Sequence, residues 1–347
     1  MESQPRENWH ISSGVEYYHD FVRSKTQVFE QAGSVPEERR GLYPDQAQAF
    51  NLAIFSLHTL SWDKFQVLAG LRGNLFHLEA NDATFGGFNL NPTALVGNVG
   101  FMYYFHPNYA LTASVNSAFR APNINDLSSF GLFDAGIEVP SGDLSSEKSV
   151  GYEAGFKTKS ARFSATVVAF YTQLYDLISR VRATYQGNPS YEGDEVYRKE
   201  NIAQAYIQGV EAELGYQIIR GAGGLRQCGL RLRSKRNRQP AGATYSSAQR
   251  SAGGWLYQNT KRRIFGRVEG LFATKQDRLS SGDKSDHRIP EGGTPGWHIM
   301  NIYMGYNHPY FDIQLGIQNL WDEAYRIHGS GVDGYGRSFW LVGRIHL

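Results

Sequence analysis

The run HGSG at His328 to Gly331 places a serine two residues after a histidine, a pairing from which a nucleophile and its base can be built. Such a nucleophile needs a strand-turn-helix elbow, whereas this serine stands in a glycine-rich loop, where a turn is the better account. The ten histidines, His10, His19, His58, His77, His106, His287, His298, His308, His328 and His346, are scattered with no HExxH spacing. Neither a GxSxG elbow nor a phosphate-cradling glycine loop stands in the chain. The acidic run SSGDKSDHR at Ser280 to Arg288 is like a calcium loop only in its aspartates; the EF-hand spacing and terminal glutamate are missing, and loop solvation explains it better. The lone cysteine, Cys228, excludes an intrachain disulfide and any cysteine-based metal cluster. Catalysis, a bound metal and a cofactor are therefore not expected.

The elements that carry these residues are strands. With 21 Tyr, 20 Phe, 6 Trp and 38 Gly in 347 residues, the composition favours β-structure. Period-two alternation recurs along the chain. In GYEAGFK it sets Tyr152, Ala154 and Phe156 against Glu153, Gly155 and Lys157, and in NYALTASVNSAFR it sets Leu111, Ala113, Val115 and Phe119 against Thr112, Ser114 and Asn116. ARFSATVVAFYTQ, AYIQGVEAELGY and FDIQLGIQNL repeat the pattern, with full charges on some wet faces. A small soluble core does not take such charges, whereas the lumen of a wide barrel does.

No apolar run approaches the roughly 18 residues that a membrane helix needs. A transmembrane barrel escapes that test, because half of its strand residues face water. The net charge of +2 and the lack of a basic stripe interleaved with aromatics give no nucleic-acid footprint. Connections alternate in length: the chain reverses at once at KTKS and NHPY, while long polar stretches follow Phe119, Ile178, Ala273 and Leu320. Short turns at one end and long loops at the other are the asymmetry of an outer-membrane barrel. Tyr103, Tyr104, Tyr109, Tyr216, Trp297 and Tyr306 stand where interfacial girdles belong.

SAFRAPNINDL, LSSEKSVGYEAGFK, AFYTQLYDLISRV, ENIAQAYIQGVEAEL and GIQNLWDEAYRIHGSGVDGYGRSFWLVGRIHL, taken in this order, resemble the C-terminal barrel portion of TonB-dependent outer-membrane receptors of a Bacteroidetes-like branch. The resemblance spans most of the chain, 1–347. It implies an all-β fold: an antiparallel transmembrane β-barrel, partial, with roughly 14 to 16 strands of a larger barrel of the order of 22, and no plug domain in this chain. It further implies energy-coupled uptake of a scarce nutrient of the ferric siderophore, haem or cobalamin class, in the outer membrane of a Gram-negative bacterium. The implied partners are the TonB complex, outer-membrane lipid, lipopolysaccharide and a small-molecule metal chelate.

Three departures qualify that picture. The opening MESQPRENWH has neither the basic nor the apolar region of an export signal, and neither a plug nor a TonB-contacting segment is readable ahead of NWHISSGVEYYHD. The chain is therefore expected to be a fragment; a smaller self-contained channel, a barrel enzyme and a non-functional truncated receptor are the alternatives. The end at Leu347, in place of an aromatic, leaves assembly open. Third, residues 222–256 crowd Arg226, Arg231, Arg233, Lys235, Arg236 and Arg238 together with little alternation. That stretch reads as a basic loop for lipopolysaccharide or another anion, as a solvated charge run, or as a segment out of frame.

In wide plugged barrels ligands meet the loop apices and the upper lumen, so the resemblance directs attention to two loops. Arg120, Asn123, Asn125 and Asp126 in one, and Tyr325, Arg326 and His328 in the other, can hydrogen-bond a polar chelate. The competing reading of APNIND is a loop-initiating turn, with Pro122 fixing φ and Asn and Asp bonding their own backbone.

Overall fold

The computed structural model describes residues 1–29, 35–133, 136–221, 224–238, 250–259, 263–277, 279, 283–284 and 286–346, with 202–203 and 217–259 described by backbone alone. Among these residues, 19 strands share one sheet and Lys25–Val28 and Glu37–Arg40 form a separate antiparallel hairpin. The chain divides into two compact units. The first holds Met1–Phe101, Ser114–Gly151 and Gln173–Ala205, and the second Met102–Ala113, Tyr152–Thr172 and Tyr206–Leu347.

In the first unit, Trp9–Val22, Ala47–Ser61 and Phe65–Asp82 pair antiparallel without a break in register. Alternation then gives each sheet face one character. Val15 lies opposite Ile54, and Tyr17 opposite Leu52, which lies opposite Leu75. All five are exposed, Val15 by 68% and Ile54 by 66%. On the other face Arg72 donates to Glu16 at 2.6 Å and to Asn74 at 2.9 Å, and Asn74 donates to Asn51 at 2.9 Å. Asn74 and Ala53 are buried there. An oily face turned outward over a hydrogen-bonded polar face inverts a soluble protein and suits a barrel wall. The strands are 14, 15 and 18 residues long; at about 3.3 Å per residue and a tilt near 40°, each is long enough to cross a hydrocarbon core of roughly 30 Å.

The second unit repeats the pattern. Met304 and Leu341 both lie opposite Leu315, and Ile313 lies opposite Tyr306, with all five exposed. Its links at one end are short: the Ser160 N–H donates to the Phe163 carbonyl at 2.7 Å, and the His308 N–H to the Phe311 carbonyl at 2.8 Å. Phe105 stacks on Tyr109 at 5.8 Å and Tyr109 on Phe156 at 6.1 Å beside these turns, as an interfacial girdle requires.

Two sequence expectations change. The stretch after Phe119 is not a plain polar connection, because it holds a helix, Ile124–Ser128, and strands Gly131–Phe133 and Gly136–Val139. The region after Ile178 also shortens, since its flanking strands run on to Arg182 and restart at Asp194. Of the basic stretch 222–256, residues 222–223 and 239–249 lie outside the described residues. The backbone of Gly224–Arg238 pairs antiparallel with the strand Asp194–Gly221.

Candidate functional site

The first loop site begins where Tyr109–Arg120 ends. Pro122 sets the backbone, and Asn123 caps the five-residue helix: its side chain accepts from the Asp126 N–H at 2.9 Å, while Asp126 accepts from the Asn123 N–H at 3.2 Å. This reciprocal box satisfies donors that a helix start leaves open. Ile124 and Leu127 are buried against Ala47, Leu78, Ala80 and Leu144, which roots the helix.

Beyond the helix, Gly136 sits at φ +151, where an added Cβ would stand 2.3 Å from the Glu195 carbonyl oxygen. Only glycine lets Gly136–Val139 lie parallel to Val196–Arg198. That pairing brings Glu138 to Lys199. Six side chains then alternate in sign, in the order Glu147, Arg120, Asp126, Lys199, Glu138 and Arg180. Arg120 reaches Asp126 and Glu147 at 2.6 Å each, and Lys199 reaches Glu138 at 3.0 Å and Asp126 at 3.4 Å. Glu138 also accepts from Arg180 and from Ser129. Burial pushes the Glu138 carboxyl up, but the bonds from Ser129, Arg180 and Lys199 outweigh it and hold the group below its ordinary value.

Of the residues singled out from the sequence, Arg120 and Asp126 belong to this network, whereas Asn123 and Asn125 keep exposed side chains. Lys199 additionally donates to the Asn125 carbonyl at 3.0 Å. Sequence reasoning missed Glu138, Glu147, Arg180 and Lys199. The one readable signal was Glu138 itself, an acid set inside the apolar GIEV, which demands a buried partner.

Tyr325, Arg326 and His328 lie in the second unit and are a separate constellation. Tyr325 packs on Trp297 at 4.7 Å between ring centres. Arg326 donates to Asp333 at 2.7 Å, which holds the Asp333 carboxyl below its usual range. His328 Nδ1 shares a hydrogen bond with the Thr294 hydroxyl at 2.7 Å, and its Nε2 lies 3.9 Å from Asp283. Ser330 donates its hydroxyl to the Val332 carbonyl at 2.8 Å, so it serves the turn. Among the described residues no group of three or more His, Cys, Asp or Glu is placed to hold a metal ion.

The loop is anchored by Asn319, which the sequence reading passed over. It is 1% exposed and donates to the carbonyls of Glu323 at 2.8 Å and Tyr335 at 2.9 Å, while accepting from the Glu323 N–H at 2.9 Å.

Comparison with known proteins agrees with this architecture. The solved FrpB iron transporter from Neisseria meningitidis (F5-1 variant) is 14% identical with a TM-score of 0.72, covering 99% of this chain and 54% of its own. The copper transporter OprC is 15% identical with a TM-score of 0.77, covering 97% and 54%. The Serratia marcescens hemophore receptor HasR, solved with its hemophore HasA and heme, is 14% identical with a TM-score of 0.72, covering 99% and 56%. The chain thus spans about half the length of these structures. No curated protein matches it. The family model described as TonB dependent receptor-like, beta-barrel matches residues 5–320, and the chain belongs to that family.

Proposed function

We propose that the chain forms barrel wall and surface loops of an outer-membrane receptor that imports a scarce nutrient, a metal chelate of the ferric siderophore, haem or cobalamin class, with energy delivered through TonB. The observation that carries this reading is the family match over residues 5–320. It is supported by outward apolar faces suited to lipid and by long connections gathered at the strand ends opposite the short turns. Lipid and lipopolysaccharide are the partners of the outer face, and the long-connection end is extracellular. Ligand contact falls to Asn123, Asn125 and the outer side of Arg120 in one loop, and to Tyr325, Arg326 and His328 in the other, with Asp126 fixing its loop from inside. No catalytic step is part of the proposal.

Uptake by cells carrying or lacking the gene tests it, using a panel of labelled ferric catecholate, ferric hydroxamate, haem and cobalamin. Loss of uptake of one member on deletion, its return on complementation and its collapse with a protonophore are expected. Uptake of every member unchanged by deletion would overturn the reading.

A further inference from the structure

The charge network of the first loop is divided by depth. Its acids and its lysine are covered, with Asp126 8%, Glu147 17%, Glu138 5% and Lys199 9% exposed, whereas Arg120 and Arg180 are 45% and 44% exposed. The network as a whole is neutral, yet what it shows to solvent is guanidinium.

The covered acids occupy only part of each guanidinium. Arg120 donates through Nε to Glu147 and through Nη1 to Asp126, which leaves its Nη2 hydrogens without an acceptor among the described residues. Arg180 donates through Nε to Glu138, and the Phe133 ring covers one of its faces, with the guanidinium carbon 4.4 Å from the ring centre. The Nη nitrogens of Arg180 are left as a planar fork with no acceptor among the described residues. Tyr197 packs edge-on against Phe133 at 5.4 Å and fixes that ring. The exposed carboxylate beside it, Glu195, is already held by the Tyr197 hydroxyl at 2.7 Å and by Arg182 at 2.7 Å. Both exposed arginines are therefore held in place from below, so a ligand meets donors whose ordering cost is already met.

We infer that Arg180, with Arg120, reads anions at this loop, and that the chelate taken there carries ionised carboxylates. A carboxylate is planar and sets its oxygens at the spacing of a guanidinium fork, and it brings no donor of its own to compete. The uncharged oxygens of a hydroxamate chelate make only the weaker neutral bonds to the same groups. The inference rests on the uptake reading above and narrows its ligand.

The test is binding to the full chain in lipid vesicles, read by quenching of tryptophan emission. The carboxylate probes are haem and ferric citrate, and the uncharged ones are haem dimethyl ester and a ferric trihydroxamate. One carboxylate probe should bind about tenfold tighter than its uncharged counterpart, the excess of a charge-assisted bond over a neutral one. Arg180→Gln, which leaves Glu138 to Lys199 and Ser129, should remove that preference. Arg180→Lys keeps the charge without the fork and should retain only part of it. Carboxylate probes that bind the unaltered chain no better than the uncharged ones overturn the inference without any variant, and so does a full preference kept by Arg180→Gln. Either result leaves the uptake reading standing, since that reading falls only if deletion of the gene changes uptake of no member of its panel.

Discussion

Lys199 Nζ stands 3.0 Å from Glu138 and 3.4 Å from Asp126, with each of the three side chains less than a tenth exposed. One cation thereby ties the helix Ile124–Ser128 and the strand Gly136–Val139 to the strand Asp194–Gly221. Lys199→Met should leave two buried carboxylates short of a partner. Because Arg120 still holds Asp126, and Arg180 and Ser129 still hold Glu138, the cost sits at the lower end for a broken buried pair, about 3 kcal/mol. Amide exchange over residues 124–139 should quicken about a hundredfold. Unchanged exchange there would show that the network does not pin the loop.

Acid should open the same loop. The Glu138 carboxyl titrates below its ordinary 4.5 in the folded state, despite the burial that works against it, through its bonds to Ser129, Arg180 and Lys199. A carboxyl with a depressed folded value contributes its stability in full above the unfolded value and loses it as pH falls through the folded one. Protection of residues 124–139 should therefore be flat from about pH 7 to 5 and decline below about 4.5. A decline centred above pH 6 would assign the switch to some other group.

The strands were legible because alternation is local: Leu315 and Ile313 announce their face within FDIQLGI, and the structure exposes both. The turns at KTKS and NHPY were legible for the same reason. The loop after Phe119 was not. Its order comes from the parallel pairing of Ile137 with Val196, residues distant in sequence, and no local pattern encodes a partner that far away. Arg120 and Asp126 attracted notice as hydrogen-bonding groups, but only the fold reveals that Arg120 bonds both Asp126 and Glu147.

The two faces of the wall should respond differently to charge. Val167 and Ile313 point outward, 38% and 41% exposed, and Thr166 points to the opposite face of its strand. Val167→Arg or Ile313→Arg should cost about 2 to 4 kcal/mol near the bilayer midplane, and Thr166→Arg less than about 1. Refolding titrations in lipid vesicles read these differences directly. Equal penalties at Val167 and Thr166 would mean that neither face meets lipid.

Asn319 should be the least replaceable residue of the loop that follows it. Its backbone sits at φ 48, a left-handed conformation that asparagine tolerates, while its side chain bridges Glu323 and Tyr335. Its own N–H donates to the buried Asn301 side chain at 2.9 Å. Asn319→Ala loses the side-chain bonds and adds backbone strain, a cost of about 3 kcal/mol. Asn319→Gly removes the same bonds but relieves the strain, so it should recover about 1 kcal/mol of that loss. Asn319→Asp turns a carboxylate towards two carbonyl oxygens and should be the worst of the three. Limited proteolysis between residues 320 and 337 should follow that order, with Asp cut fastest, then Ala, then Gly, then the parent. Equal cutting of the Ala variant and the parent would show that the loop is held elsewhere, at Arg337 on Leu320 or Arg326 on Asp333.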